Sequence, residues 1–278
     1  MNYVIFDLEW NGCYSCRTKT NINEIIEFGA VKLNEDLEII DKYQMLVRPE
    51  ISKRLNSSVK SLTSLSIEQL EHGAPFNYVY NKFKKFCGNS ILMTWSTSDI
   101  VSLVSNVEYH LRQKRIGFMT KYADLQMYCH DMLGITSSNA LGLQPAAEIL
   151  GIDSDEIQHH RALGDSILSV MCFRKLYHRN IFETYIENAA APDFYEKLEF
   201  HPVNIYDPDS KYIDKSVMFF NCNVCGARAE IVGEWEVKNK QLMTVCHCSR
   251  CGNDFRPKIL FRQKYDGVSY TKKIVNAV

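Results

Sequence analysis

The chain opens on Tyr3-Val4-Ile5-Phe6-Asp7-Leu8-Glu9-Trp10, an apolar run of strand length and strand-type residues, interrupted by two acids. Residues two apart on a strand share a face. Asp7 and Glu9 therefore project together while Phe6, Leu8 and Trp10 point the other way. The polar, Gly-punctuated stretch from Asn11 to Thr20 reads as a loop. Ile25 to Leu33 reads as a second strand, Asn34-Glu35-Asp36 as a turn, and Glu38 to Val47 as a third strand stopped by Pro49, so the three form an antiparallel meander. Residues 58–73 read as short helical turns. Residues 74–87 carry Phe76, Tyr80, Phe83 and Phe86 at helical spacing, a core-facing stripe. Ser90 to Trp95 is a short apolar strand, followed by a helix to about Gln113. Tyr122 to Cys129 reads as a fifth strand, Leu143 to Leu150 as a short helix ended by Gly151, and Ala162 to Leu176 as a longer apolar helix. Strands alternating with helices predict an α/β fold with a five-stranded mixed sheet.

At 278 residues the chain can bury a full core and carry a smaller second module. With 46% hydrophobic and 23% charged residues and a net charge of -1, the composition points to no partner. The distribution of charge says more. From Ser216 onward there are ten Lys and Arg against five Asp and Glu, a net of +5, which leaves 22 against 28, a net of -6, before it. An acidic body with a basic tail fits a metal-dependent domain joined to a piece able to touch a polyanion. No apolar run reaches the roughly 18 residues of a membrane span, and the chain starts almost directly in a strand. The expectation is a cytoplasmic protein with no membrane partner.

Two carboxylates held side by side lose hydration and repel, which a cation between them or a bound proton relieves. Asp7 and Glu9 thus read as half of a divalent-metal site, or else as acids on a water-facing edge strand. Asp99, after Thr94-Trp95-Ser96-Thr97-Ser98, is either a helix cap (as Ser98 could be) or a third acidic ligand where a strand gives way to a helix. Asp165 sits in the first turns of the Ala162 helix, where the dipole favours an acid, and His160 precedes it in a loop able to fold over the same site. Cys13 and Cys16 have metal-ligand spacing but no second pair nearby, and read as loop thiols.

Five of the ten cysteines lie between Cys222 and Cys251. Cys222-x2-Cys225 and Cys248-x2-Cys251, separated by 22 residues, are two knuckles of a structural zinc site. Cys246 and His247 are alternative ligands, but Cys248 with Cys251 keeps the knuckle geometry. The expected organisation is a first domain over residues 1–180, a helical or linker segment over 181–214, and a zinc ribbon over 215–278. Arg228, Arg250, Arg256, Lys258 and Arg262 make the ribbon a candidate for phosphate contact, dimerisation or protein docking.

Together these residues resemble the DEDDh family of 3'-to-5' exonucleases, which share a ribonuclease-H-like fold. Asp7 and Glu9 match the family's Asp-x-Glu motif, Asp99 its second motif, and His160 with Asp165 its His-x4-Asp motif. The stretches Glu24-Ile25-Ile26-Glu27-Phe28-Gly29-Ala30-Val31 and Leu143 to Ile152 also look like the family, and the resemblance covers about residues 1 to 180. It implies two catalytic Mg2+ or Mn2+ ions roughly 4 Å apart and release of nucleoside 5'-monophosphates. Asp7 would bridge both ions, Glu9 and Asp165 would hold the nucleophile-side ion, and Asp99 would act mainly through water. His160 rather than His159 would be the general base, because its spacing to Asp165 fits.

Two departures bear on the substrate. Trp10-Asn11-Gly12 stands where many members have a small polar run, and the second motif carries Trp95, as in RNA-trimming relatives. Trp10 and Trp95 are candidates for stacking on a terminal base or for core packing. The expected substrate is single-stranded RNA, DNA or short oligonucleotides with a free 3' end, RNA favoured. The alternatives are a DNA exonuclease of proofreading or repair type and a non-catalytic nucleic-acid-binding scaffold. A protein partner through the ribbon is a further expectation.

Overall fold

The computed structural model describes residues 1–135, 141–155, 157 and 159–275. By internal contacts the chain divides into two units, Met1–Leu198 and Glu199–Val278. In the first, β1 (Tyr3–Ser15), β2 (Thr20–Leu33) and β3 (Ile39–Leu46) form the expected antiparallel meander. Helices α1 (Ser57–Thr63), α2 (Ile67–Glu71) and α3 (Phe76–Cys87) follow, then β4 (Ile91–Thr94), α4 (Ser98–Leu111), β5 (Lys121–Asp124), α5 (Leu125–Met132), α6 (Leu143–Ile149), α7 (Ala162–Leu176), α8 (Arg179–Phe182), β6 (Glu187–Asn188) and α9 (Pro192–Glu199). The sheet runs β3-β2-β1-β4-β5-β6, with β1, β4 and β5 mutually parallel.

Three expectations change. The five strands gain a sixth, β6, a two-residue antiparallel edge too short to show any periodicity. The expected loop from Asn11 to Thr20 is largely a hairpin: β1 runs on to Ser15, paired to Thr20 across a tight turn. Tyr122 to Cys129 is not one strand, because the Asp124 carboxylate accepts from the Gln126 and Met127 N–H groups and starts α5 at Leu125.

Both faces of the sheet are buried, so β1 divides its side chains between two cores. Val4, Phe6 and Leu8 pack with Phe28, Phe83 and the aromatic stripe of α3. Tyr3 and Ile5 pack on the other face with Tyr128, Phe173 and Phe182. Asp7 and Glu9 continue the Tyr3–Ile5 face, the one covered by α7. That face is closed tightly at one point. A Cβ built on Gly29 would lie 2.0 Å from the Ala162 carbonyl carbon and 2.1 Å from the Leu163 nitrogen, so only glycine lets the first turn of α7 sit on β2.

The stretch over 181–214 contributes to both units. Phe182, Ala189, Phe194 and Tyr195 lie in the first unit's cores, whereas β7 (Val203–Ile205) pairs in the second. The second unit continues with β8 (Phe220–Asn221), β9 (Arg228–Ile231), β10 (Glu236–Lys238), β11 (Gln241–Met243), β12 (Cys246–His247), β13 (Asp254–Lys264) and β14 (Gly267–Val275). Its core is Ile213, Phe220, Leu242, Phe255, Ile259 and Phe261 around the cysteines. Residues 276–278 of the expected ribbon lie outside the described residues. Among the described residues no helix is long and apolar enough to cross a membrane.

Candidate active site

Strand β4 pairs with β1 from Tyr3 to Ile5 and then ends, so the rest of β1 passes beyond its neighbour. The opening this leaves at the carboxyl ends of the parallel strands is where ligands bind in open α/β sheets. Asp99, in the first turn of α4, fills part of it: its carboxylate accepts the Leu8 N–H at 3.0 Å. Asp99 is buried, and it is a structural partner of β1 rather than a helix cap.

Across the opening stands the start of α7. Carboxylate oxygens of Asp7, Glu9 and Asp165 lie within 4.8 Å of one another. Asp7, Asp99, Asp165, His159 and His160 line one cleft of about 570 Å³ with Trp10, Trp95 and the segment Gly142-Leu143-Gln144-Pro145. All five residues expected from the sequence are therefore near one another, with Asp99 outside the tight trio. His160 is exposed at the rim, in the left-handed region at φ 56°.

Burial raises the proton affinity of every acid here, and their mutual repulsion adds to it. Asp7 is pushed well above the usual carboxylate range by burial and then by Asp99, Glu9 and Asp165. Glu9 is pushed up to about 8, by burial first and then by Asp165 and Glu27. Asp99 reaches about 7 by burial, against the lowering effect of the Leu8 N–H. Asp165 is raised by burial, with the nearby histidines opposing. Such a cluster ionises fully only when a cation balances it, and its donors are hard oxygens of the kind that hold Mg2+ or Mn2+. The residues fit a divalent cation.

Two features of the site escape the sequence reading. Glu27, opposite Glu9 on β2, is fully buried. It receives Arg161 in a two-pronged ion pair (2.9 and 2.7 Å), Gln44 Nε2 at 2.8 Å and the Ala162 N–H at 3.4 Å, which ties the residue beside His160 to the central sheet. The other feature is the 142–145 wall. Trp95 donates from Nε1 to the Leu141 carbonyl at 3.0 Å, and Gln126 donates to the same oxygen at 2.8 Å. Trp95 is thus a buried packing residue that anchors the wall, while half-buried Trp10 packs on the α3-side core and shows one edge to the cleft.

In the second unit, the sulfurs of Cys222, Cys225, Cys248 and Cys251 lie within 4.8 Å of one another. Cys222 and Cys251 are 3.6 Å apart, and Cys225 and Cys248 3.5 Å. A tetrahedron with Zn–S bonds of about 2.3 Å has edges of about 3.8 Å, so the four sulfurs fit zinc. N–H groups of Cys225 and Val224 aim at the Cys222 sulfur and lower its thiol to about 6, favouring the thiolate. Gly226 and Gly252 follow the two knuckles at φ 72° and 71°, a symmetry visible in the sequence as Cys-Gly twice. Cys246 is buried with its thiol pushed up to about 11, and His247 is bonded to Asp254 at 2.6 Å, so neither joins the cluster. Cys13 faces Glu24, and no metal cluster among the described residues includes Cys13 or Cys16.

The exonuclease family model RNase_T matches residues 4–173, the stretch that carries β1 to β5, Asp99 and most of α7. The chain belongs to this exonuclease family, and its first unit is the ribonuclease-H-like α/β fold of a 3'-to-5' exonuclease. It is 28% identical over 201 residues to the probable 3'-5' exonuclease KapD of Bacillus subtilis, covering 70% of this chain and 93% of that one. It is also 28% identical over 174 residues to the PolC-type DNA polymerase III of Staphylococcus saprophyticus, covering 63% of this chain but 11% of the polymerase. Among solved structures it resembles a 3'-exonuclease described in 3'-end specific recognition of a histone mRNA stem-loop, with a TM-score of 0.54 and 25% identity over 62% of this chain and 79% of that one.

Proposed function

We propose that this exonuclease hydrolyses single-stranded nucleic acid, RNA or short oligonucleotides in preference to DNA, from the 3' end to nucleoside 5'-monophosphates. The convergence of Asp7, Glu9 and Asp165, with their oxygens within 4.8 Å, carries this reading. Asp7, Glu9, Asp99 and Asp165 hold two Mg2+ or Mn2+ ions, which when bound lower the pKa of an attacking water and offset charge on the phosphodiester. Asp7 would be the shared ligand, since it belongs to the close trio with Glu9 and Asp165 and lines the same cleft as Asp99. Asp99 keeps β1 in register through Leu8 and offers its remaining oxygen to the cleft. His160, at the rim, accepts the proton of the attacking water. The 142–145 wall and Trp10 confine the terminal nucleotide. The catalytic domain is Met1–Leu198, and the second unit is a zinc ribbon that holds one Zn2+ on its four thiolates.

The RNA preference rests on the Trp-containing second motif and on likeness to an exonuclease described with an mRNA stem-loop. Likeness to the PolC polymerase favours the second reading, a DNA exonuclease. Matched 5'-labelled single strands of one sequence separate them: faster shortening of the RNA supports the first, and faster shortening of the DNA overturns it. Absence of cleavage from either strand with Mn2+ or Mg2+ would favour the non-catalytic binding protein.

A further inference from the structure

Strand β13 alternates strictly. Phe255, Pro257, Ile259 and Phe261 are buried, whereas Arg256, Lys258, Leu260, Arg262 and Lys264 share the opposite face, with the arginines and Lys264 exposed and Lys258 and Leu260 half-buried. Its neighbour β14 brings Lys273 directly opposite Lys258, with Thr271 opposite Leu260 and Ser269 opposite Arg262. On the other side β7 places Asn204 beside Arg262. Like charges facing each other across an antiparallel pair destabilise it, and here no acid intervenes. Among the described residues no ion pair reaches Arg256, Lys258, Arg262, Lys264 or Lys273. Of the acids near this face, Asp254 is taken by His247, Glu234 and Glu236 line a cleft with Arg256, and Glu236 stands two strands from Lys258 in the same row, with Met243 between them. Four cations thus run along about 26 Å of β13, at about 3.3 Å per residue, with Lys273 beside them on β14 and no ion pair to any of the five among the described residues.

We infer that this face of the zinc ribbon binds the phosphodiester backbone of the single-stranded substrate, upstream of the nucleotide being removed. The inference rests on the reading of the first unit as a nuclease of single strands. Long, flexible, unpaired cations in a row match a uniform polyanion. A protein-docking surface would instead offer buried aromatic anchors in a pocket, and the centre of this face holds a half-buried Leu260 flanked by charges. The partner present at every turnover of a nuclease is the polyanion it degrades.

The test uses the full chain and a 5'-labelled uridine strand of roughly thirty nucleotides with phosphorothioates at its 3'-terminal linkages, so that binding is read independently of cutting. Lys258→Glu/Arg262→Glu/Lys273→Glu is expected to weaken binding more than tenfold at about 0.1 M salt and to flatten the slope of log Kd against log salt by about 2, three contacts at about 0.7 each. The neutral Lys258→Gln/Arg262→Gln/Lys273→Gln chain, which spares the ribbon three added acids, is expected to lose the same slope. Lys82→Glu/Lys84→Glu/Lys85→Glu on α3 makes the same charge change elsewhere and is expected to keep most of the slope. Hydrolysis of a trinucleotide, which offers too few phosphates for a row of cations to hold, is expected to stay unchanged in the ribbon variants, which separates this inference from the catalytic one. Unaltered Kd and slope would overturn it and hand the face to an acidic protein. Equal loss in the α3 variant, or loss of trinucleotide hydrolysis in the ribbon variants, would also overturn it.

Discussion

Gly29→Ala tests how closely the site depends on the seating of α7. The added methyl would stand 2.0 Å from the Ala162 carbonyl carbon and 2.4 Å from its oxygen, both backbone atoms with no rotamer to yield. Carbon atoms in contact keep about 3.5 Å, so the start of α7 must withdraw by about 1.5 Å. The withdrawal strains two contacts, the Ser166 hydroxyl on the Gly29 carbonyl at 3.1 Å and the Ala162 N–H on Glu27. It also carries Asp165 away from Asp7 and Glu9. A misplacement of about 1 Å at a reacting centre can cost about 10²-fold, so kcat should fall at least a hundredfold, while overpacking lowers stability by about 1–3 kcal/mol. Single-turnover hydrolysis of labelled RNA over an Mn2+ titration, with a melting curve on the same sample, reads both effects. Wild-type kcat in a protein of wild-type Tm would refute the argument, since it would show that Asp165 need not sit where β2 holds it.

Three further outcomes follow from the same structure. Because Glu9 and Asp99 have folded-state pKa values raised to about 8 and about 7, the metal-free protein binds extra protons on folding, and its stability should fall as pH rises from about 5 to 8. Added Mn2+ should accordingly raise Tm more at pH 8 than at pH 5, and the opposite order would contradict the carboxylate cluster as the binding site. Arg161→Met leaves Glu27 buried with Gln44 alone among its side-chain partners, which should cost about 3 kcal/mol by denaturant melts and lower kcat by loosening the His160 turn; an unchanged kcat would confine the ion pair to stability. Cys222→Ser with Cys225→Ser should release zinc and unfold the ribbon while the first unit keeps its melting transition, and zinc retained in stoichiometric amount would place the ligands elsewhere.

What the sequence made legible was what local pattern encodes. Strand Tyr3–Trp10 announced itself by two acids in an apolar run, α7 by its apolar length, and the four-cysteine cluster by the spacing of its two knuckles. The hairpin from Asn11 to Asn23 did not, because its polar residues are joined by backbone pairing with no sustained buried alternation to read. Helix α5 was hidden by a cap, Asp124, within a stretch of strand-type residues. The Glu27–Arg161 clamp joins residues 134 apart in sequence, and neither carries a local signal of its partner. Asp99 shows the limit most clearly: its local sequence allowed a cap or a ligand, the resemblance alone chose the ligand, and its bond to the Leu8 N–H, which sets it beside β1, had no local signal.

The central claim is that Asp7 is the shared ligand of a metal-dependent 3'-to-5' exonuclease site. Its most direct test compares wild-type chain and Asp7→Asn, a substitution that keeps side-chain size, on 5'-labelled single-stranded RNA with Mn2+ and with chelator. The account predicts a ladder shortening from the 3' end for the wild type with Mn2+ alone, and intact RNA with chelator or with Asp7→Asn at any metal concentration. A ladder of near wild-type rate from Asp7→Asn, or one that persists in chelator, would contradict it.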